Sequence, residues 1–356
     1  MGFFQHSYKK MLKFIFFYIY RILLLNRVIL NIKEKQFSEK NYSYDFKNIL
    51  FEDLLFLKKL FFSKKYYNSK FYDEESKIYH SFDWLIAAKN LGGTECVLIA
   101  KKQIINWHNK EYSKNTFVWN EIFTSKRLIN LIYNYDFYAI SSTNDEKLFF
   151  GRIILKHFII LDLLKKFIIS KKNISIEMIK ILLLFKLIHK KNISDISHIL
   201  KEQIRTQVDI NGFHKSNNPS YQAEFINNLY EIKNIFLFFE IKIPEFIQYQ
   251  IYNMTSVLGN LIHKDNSIAL FNGSNNANYN NIIKIINLTK DIKLKKLENV
   301  ENGIAVYSNN KLKIFFDVVK PSNKEINQNL HASTLSFELS YDNEKIITNC
   351  GSIEKR

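Results

Sequence analysis

The segment 203–221, QIRTQVDINGFHKSNNPSY, contains several side chains that exchange protons or bind anions. A tyrosine such as Tyr221 can donate its phenolic proton and, once ionised, accept one. Because a free phenol ionises only at about pH 10, this chemistry needs cationic neighbours or the positive end of a helix dipole. Arg205, His214 and Lys215 are the candidate neighbours. The alternative is an ordinary packing tyrosine, one of 20 in the chain.

A second candidate pair, Arg127 and Asn130, is spaced i, i+3 on a predicted helix, so both side chains share one face. Such a pair can contact a substrate carboxylate. The favoured alternative is a structural arginine beside a cap-like asparagine. His157 lies in a strongly apolar stretch and is predicted to be a buried structural residue.

The composition argues against several classes of protein. The 356 residues include only 9 Gly and 3 Pro, and no GxGxxG, GxxxxGKS/T, HExxH or CxxC motif occurs. The common nucleotide-dependent enzymes are therefore not expected. Two distant cysteines, Cys96 and Cys350, exclude a disulfide framework.

The net charge of +17 is mostly attributed to compositional bias, because only 6 of the 51 basic residues are Arg and Asn, Ile and Phe are abundant with Lys. Phosphate and base recognition favour Arg. No helix-turn-helix, RNP or zinc-finger signature is visible, so no nucleic-acid partner is predicted.

The N-terminal stretch 11–30 is hydrophobic, but Arg21 and Arg27 interrupt it. A spanning helix needs about 20 apolar residues, so no transmembrane segment is predicted. No small-residue cleavage site of a secretory signal follows. The stretch is predicted to be an amphipathic helix packed on its own domain, with a membrane-surface helix as the alternative. Localisation stays unassigned.

Residues 1–258 are predicted to form consecutive helices, because apolar residues recur at i, i+3, i+4 and i+7. Ser175 and Ser194 are predicted to begin helices. Paired helices with short polar connections build bundles, solenoids or toroids. The clearest stretches are 49–62, 120–138, 149–169 and 174–189.

From residue 259 the pattern changes to short β-rich runs at 267–271, 303–307 and 311–319, followed by a hairpin at 334–349. Asp342 and Asn343 form its predicted turn. Leu335, Phe337 and Leu339 alternate with polar residues and are predicted to face the core. The fold class is therefore α+β, and the sheet is expected to be an incomplete antiparallel β-sandwich of a truncated chain.

Three stretches resemble the heparinase II/III family of polysaccharide lyases. The first contains Trp84, Trp107, Trp119 and the run 124–130, TSKRLIN. The second, 203–221, is similar to the family's "QILPDGGHxxRSPxYH". The third combines IALFNG, HASTLSFEL and ITNCG, similar to "HADALSFELSxGGRPLLVDSG". The resemblance implies an (α/α) toroid-like domain over 1–258 and the start of a β-sandwich over 259–356.

The resemblance also implies β-elimination at a uronic acid. The sugar carboxylate must be neutralised, a base must remove the neighbouring proton, and an acid must protonate the leaving oxygen. The family places these groups in a cleft between toroid and sandwich. Tyr221 matches the family's tyrosine, which implies general acid and base roles. His214 matches a family histidine, and a polar loop residue at a helix entry is its alternative. Arg127, Asn130 and Arg205 are candidate substrate contacts.

Many family members carry His-x-His-x-Asp, with one catalytic histidine and one metal ligand. Here the register places Asn329 and Ser333 at the first His and the Asp, and Asn349 at a later Asp. A complete metal site is therefore not expected, and no cofactor is predicted. His331 is a candidate catalytic residue expected to face the cleft, and Asn329 a candidate substrate contact. A structural histidine at the domain interface is the alternative.

The sequence thus predicts a polysaccharide lyase that cleaves an acidic, uronate-containing glycan by β-elimination. Asn329, Ser333 and Asn349 favour an alternative, a catalytically impaired glycan-binding or envelope-polysaccharide-associated protein that keeps the lyase fold. An acidic polysaccharide is the predicted partner in both cases.

Overall fold

A computed structural model describes residues 74–111, 117–167, 174–274, 285, 300–301, 303–318 and 335–351. The predicted helix at 49–62 and the amphipathic stretch 11–30 lie outside these residues. So do Asn329, His331 and Ser333, whose predicted positions therefore stay predictions.

Helices make up the first part of the described chain, as the apolar periodicity predicts. A short 3₁₀ helix, Phe117–Trp119, lies among them. The α-helices are α1 Glu74–Ser81, α2 Trp84–Leu91, α3 Gly93–Glu111, α4 Glu121–Tyr133, α5 Tyr135–Ala139, α6 Asn144–Phe167, α7 Ile176–Ile188, α8 Ser194–Gln207, α9 Pro219–Phe238 and α10 Glu245–Asn260.

Helix α4 is central to its part of the fold, because it packs against α1, α6 and α7. It begins where the Asn120 side chain accepts a hydrogen bond from the backbone N–H of Phe123. Ser175 caps α7 in the same way through Met178, which confirms the predicted start. The stretch 120–138 is not one helix, since Asn134 ends α4 and donates from Nδ2 to the Asn130 carbonyl.

The described residues form two compact units that divide between Ile193 and Ser194. Helices α8–α10 belong to the second unit together with the strands. Cys96 and Cys350 are both free thiols. No helix among the described residues is long and apolar enough to cross a membrane.

The strands form one antiparallel sheet in which each strand pairs with its neighbour in sequence. They are β1 Val300–Glu301, β2 Ile304–Ser308, β3 Leu312–Asp317, β4 Phe337–Tyr341 and β5 Glu344–Ile347. The predicted hairpin with its turn at 342–343 is confirmed by the pairing of β4 and β5, which contains a bulge between Leu339 and Ser340.

The inner face of the sheet is built from Ile304, Phe315, Glu338 and Ser340, which are all buried. The predicted buried set is therefore wrong: Leu335, which precedes β4, is 75% exposed, and Phe337 on β4 is 37% exposed. The residues of β4 that face inward are the opposite of those predicted, because hydrogen-bond partners for Glu338 lie on the inner face. Polar residues on an alternating strand then face inward.

The outer face of the sheet is apolar. Phe316 and Phe337 lie opposite each other on β3 and β4, and their stacked rings are 5.3 Å apart. Tyr307 on β2 and Tyr341 on β4 are also exposed. In a β-sandwich a face of this kind packs against a second sheet.

The run 267–271 is not a strand, contrary to the prediction. It folds back on the end of α10 through an isolated bridge between Ile262 and Ile268. The Ala269 N–H donates to the Leu261 carbonyl at 2.9 Å. Ala269 and Phe271 then pack against Phe315, so this run joins α10 to the sheet core.

Gly212 occupies a tight turn after α8, where Asp209 Oδ1 accepts hydrogen bonds from the N–H groups of Asn211 and Phe213. Its φ is +92°, and an added Cβ would lie 2.9 Å from the backbone of Asn253 on α10. Only glycine satisfies both constraints without strain.

We expect Gly212→Ala to lower the free energy of unfolding by at least about 2 kcal/mol, because it adds a backbone clash to the strain of a positive φ. Urea unfolding measures this loss. Gly93→Ala is the matched control, since Gly93 has φ +83° but open space around the added Cβ. Equal losses in the two variants would contradict the close approach to α10.

Candidate functional site

The start of helix α9 positions Tyr221. Asn218 Oδ1 accepts hydrogen bonds from the N–H groups of Ser220 and Tyr221, at 2.8 and 3.1 Å, and Pro219 is the first helical residue. This is the N-terminal preference of proline together with an asparagine cap. Tyr221 therefore lies in the first helical turn, as predicted, near the positive end of the helix dipole.

His214 lies beside Tyr221 with the two rings edge to face and their centres 6.1 Å apart. The Ser216 backbone N–H donates to His214 Nδ1, which places the ring proton of the neutral imidazole on Nε2. Nε2 faces Gln207 Oε1 at 3.4 Å. Burial lowers the pKa of His214 to about 4, so the ring is neutral at physiological pH.

Gln222 fixes the turn that contains His214. Its Oε1 accepts from the His214 backbone N–H at 2.6 Å, and its Nε2 donates to the carbonyls of Gly212 and Met254. The Gln222 side chain is buried, so these three bonds satisfy a polar group inside the protein. One residue thereby joins the turn, α9 and α10.

The exposure of the two rings differs. Tyr221 is 37% exposed, whereas His214 is 8% exposed. A partly exposed tyrosine next to a neutral imidazole carries the groups that proton exchange with a bound molecule needs. The structure therefore brings together these two of the predicted site residues.

The basic residues of the segment 203–221, Arg205 and Lys215, make contacts with residues other than Tyr221. Lys215 Nζ donates to the Arg205 carbonyl at 2.8 Å. The Arg205 guanidinium is 3.1 Å from Glu202 Oε1, in an ion pair whose arginine side chain is 72% exposed. His214 is neutral, and the described contacts of Lys215 and Arg205 are with the Arg205 carbonyl and with Glu202.

Arg127 occupies a fully buried position in the first unit. Its guanidinium donates to His157 Nε2 at 2.7 Å and to the carbonyls of His80 and Val118. It also lies 4.1 Å from the centre of the Trp107 ring. This environment favours the structural alternative over contact with a sugar carboxylate.

The other two predicted residues of this cluster are buried as well. His157 is 1% exposed, as expected, and it donates from Nδ1 to the Ile153 carbonyl because Nε2 accepts from Arg127. Burial and the nearby Arg127 charge hold the pKa of His157 well below its ordinary value. Asn130 donates to the Ser81 carbonyl and to Asp83 Oδ1, which again favours a structural role.

Sequence reasoning missed a buried polar cluster between α10 and the sheet. His263 Nε2 lies 2.7 Å from Glu338 Oε2, and Nδ1 lies 3.0 Å from Ser340 Oγ. The composition is that of a serine–histidine–acid triad. Ser340 is only 1% exposed, so its hydroxyl cannot reach a substrate as a nucleophile. The available signal was the polar stretch HKDNS interrupting an apolar run directly after α10.

The described residues do not fit a metal site of the kind that the family resemblance implies. They contain no group of three His, Cys, Asp or Glu side chains placed to hold an ion. At the position that matches the family's later Asp, Asn349 carries an amide whose nitrogen faces Ser336 Oγ at 3.5 Å. An amide is a poor zinc ligand.

Residues 296–355 match the family model described as "Heparinase II/III-like, C-terminal". No curated protein matches the chain. Together with the structures that follow, this match confirms the resemblance to the heparinase II/III-like family.

Solved lyase structures share the fold at low sequence identity. Heparinase III has 15% identity and a TM-score of 0.64, with 80% of this chain covering 52% of that protein. A mutant of the heparan sulfate lyase HepC from Pedobacter heparinus has 16% identity and a TM-score of 0.56, covering 92% and 60%. The heparinase III-BT4657 gene product has 14% identity and a TM-score of 0.59, covering 91% and 61%.

The chain thus spans about half to three fifths of the length of these structures. The predicted α+β fold class is confirmed: consecutive helices are followed by an antiparallel sheet, in a fold shared with heparinase III.

We expect Arg127→Lys to lower the free energy of unfolding by about 2–4 kcal/mol, because lysine cannot serve three buried acceptors with the geometry of a guanidinium. Thermal and urea unfolding measure the loss. Arg205→Lys changes an exposed ion pair and should stay within about 0.5 kcal/mol. An Arg127→Lys protein as stable as the parent would contradict a structural role for this residue.

Stability should also fall on acidification below about pH 6.5. The unfolded His214 binds a proton near its ordinary pKa of 6.5, whereas the folded residue binds one only near 4. Between these values the unfolded state holds more protons, so the free energy of unfolding decreases as the pH falls. His80 acts in the same direction, since burial lowers its pKa to about 3.

His214→Gln should reduce the slope of unfolding free energy against pH between 6.5 and 4, measured by urea unfolding at several pH values. His198→Gln is the control, because the His198 side chain is exposed in the folded state. An unchanged slope in His214→Gln would show that His214 titrates alike in both states.

Proposed function

We propose that the protein is a polysaccharide lyase that cleaves an acidic, uronate-containing glycan by β-elimination. The observation that carries this proposal is the pair formed by Tyr221 and His214: a partly exposed phenol in the first turn of α9, edge to face with a buried neutral imidazole. The heparinase III fold supports it, and so do the lyases named among the similar structures.

Elimination needs a group that takes the proton beside the sugar carboxylate and a group that returns one to the leaving oxygen. In this proposal the Tyr221 oxygen performs both steps. The phenolate is the form that accepts the sugar proton. The phenol then gives that proton to the glycosidic oxygen, which balances the reaction without a metal.

His214 binds the substrate or orients Tyr221 in this scheme. Its Nε2–H makes a long contact of 3.4 Å with Gln207, and this donor can turn to a sugar oxygen at small cost. Because the ring is neutral above about pH 4, it adds no positive charge at the phenol.

Arg205 is the proposed contact for the sugar carboxylate. Its ion pair with Glu202 is exposed, and such pairs contribute little net stability. The guanidinium can therefore exchange Glu202 for a substrate carboxylate, with which it forms bidentate hydrogen bonds. Asn329 and His331 remain proposed contributors from the sheet part of the chain.

Replacement of Tyr221 by Phe tests the proposal. We expect Tyr221→Phe to abolish formation of the unsaturated uronate product, followed by its ultraviolet absorbance, with heparin, chondroitin, hyaluronan and alginate as substrates. Folding and glycan binding should be nearly unchanged, because only one hydroxyl is lost. Tyr249→Phe is the control, since Tyr249 is a 64% exposed tyrosine on α10. A fully active Tyr221→Phe protein would remove Tyr221 from the mechanism.

A second candidate function is glycan binding without cleavage. The observation in its favour is Asn349, an amide at the position that matches the family's Asp. Binding of an acidic glycan by the parent protein, with no product from any of the four substrates, would favour this function over the lyase.

A further inference from the structure

We propose that Glu338, although buried in the sheet, is a positioning residue for Tyr221 and His214. The inference rests on the proposed function for its kinetic consequence, but its structural consequence can be measured without any activity. The proposal depends on contacts inside the second unit alone.

Glu338 is fully buried and makes three hydrogen bonds. Its Oε1 accepts from the N–H groups of Leu270 and Asn349, at 3.0 and 3.1 Å, and its Oε2 faces His263 Nε2 at 2.7 Å. A carboxylate buried in this way is tolerated only with such donors, because a charge without partners inside a protein is costly. The carboxylate therefore fixes the position of the run 270–274 relative to the sheet.

The run 270–274 in turn holds the turn that precedes Tyr221. The Asn272 carbonyl accepts from Asn218 Nδ2 at 3.0 Å, and Asn272 Nδ2 donates to the Asn217 carbonyl at 3.1 Å. Ser274 Oγ and Ser220 Oγ are 2.7 Å apart. These bonds fasten the cap of α9 to the run from which Glu338 accepts a backbone hydrogen bond.

The same turn also holds the imidazole. The Asn218 N–H donates to Ser216 Oγ, which lies 2.7 Å from His214 Nδ1. Both rings of the site are therefore connected to Glu338 through the 217–220 turn. Loss of the carboxylate releases the turn from one side, and the geometry of both rings loosens together.

The chain after β5 makes a second contact with the run 270–274. Gly351 lies two residues after Asn349, and a Cβ at Gly351 would lie 2.9 Å from the Ser274 carbonyl. The chain after β5 therefore lies directly against Ser274, at a position where the Asn349 bond to Glu338 places it. Glu338 thus acts on the run 270–274 through two separate contacts.

Alternative explanations of the cluster do not account for these contacts. A triad chemistry is excluded by the burial of Ser340. Packing alone would be served by an apolar side chain, which can replace a buried ion pair without loss of stability. The backbone hydrogen bonds from Leu270 and Asn349 need an acceptor at this place, and Glu338 supplies it.

The test compares Glu338→Ala with Glu338→Gln in hydrogen exchange measured by mass spectrometry. Glutamine retains an acceptor oxygen for Leu270 and Asn349, so it should restore the parent behaviour. We expect Glu338→Ala to speed exchange in the peptide 214–222 by about 10-fold, with helix α4 unchanged. Glu344→Ala is the matched control, because Glu344 is an exposed carboxylate on the same sheet.

The kinetic arm measures the elimination activity of the same proteins. A loosened phenol should lower kcat by about 10–100-fold while KM changes less than about 3-fold, since misplacement affects the transition state more than binding. Glu338→Gln should recover most of kcat. A uniform loss of folded protein would instead leave the kcat of the active fraction and its KM unchanged.

A further variant covers the case in which Glu338→Ala does not fold. Asn272→Gly combined with Ser274→Ala leaves Glu338 and its bonds intact and removes two side-chain links to the turn. The same faster exchange over 214–222 is expected. Glycine is chosen at position 272 because Asn272 has a φ of +51°.

Unchanged exchange over 214–222 in the folded variants would overturn the positioning role. A parent protein that shows no elimination would defeat the proposed function instead, and the exchange result would still decide the inference about Glu338. Faster exchange with an unchanged kcat would also reject the positioning role of Glu338, because the loosened turn would then not affect the reaction.

Discussion

The need to satisfy the Glu338 carboxylate inside the protein determines much of the second unit. A buried charge is stable only where donors surround it. Here the donors are His263 after α10, Leu270 in the run 270–274 and Asn349 after β5. These segments must therefore converge on one face of β4. That requirement turns Glu338 inward and leaves Phe337 on the outer face, although hydrophobic burial alone would do the opposite.

The first unit also buries an ionisable group, the cation of Arg127. The Arg127 guanidinium is buried among indole rings, and its donors are taken by His157 and by two carbonyls. The rings of Trp107 and Trp119 stabilise the charge through their π faces, at 4.1 and 4.9 Å from the guanidinium carbon. Both units thus place an ionisable group at the contact of several elements, where it specifies their arrangement.

The sequence predicted the elements that depend on local chemistry. Apolar periodicity located the helices, Ser175 and Pro219 marked two helix starts, and the residues 342–343 marked the hairpin turn. The inward face of β4 could not be predicted in this way, because it depends on partners 68 and 75 residues away in sequence. Alternation alone assigns Glu and Ser to solvent, and only the tertiary contacts reverse that assignment.

In the candidate site, the proximity of Tyr221 and His214 could be predicted from the sequence, but the protonation state of His214 could not. Tyr221 and His214 are close in sequence, so a turn followed by a proline-initiated helix was enough to bring them together. The protonation state of His214 depends on burial by the surrounding chain, which the segment 203–221 does not reveal. A histidine expected as a cationic neighbour is therefore neutral in the folded protein.

That neutrality changes where positive charge at the site must come from. The backbone N–H groups at the start of α9 provide a partial charge, but Asn218 already accepts two of them. The cations of the segment are Arg205 and Lys215, and the Arg205 side chain is largely exposed. A polyanionic glycan would bring its own carboxylate to this surface and draw the guanidinium away from Glu202, since an exposed ion pair is weak. In the proposed elimination, the substrate would assemble the required charge when it binds, while the hydrogen bonds around the 217–220 turn would hold the phenol and imidazole in place beforehand.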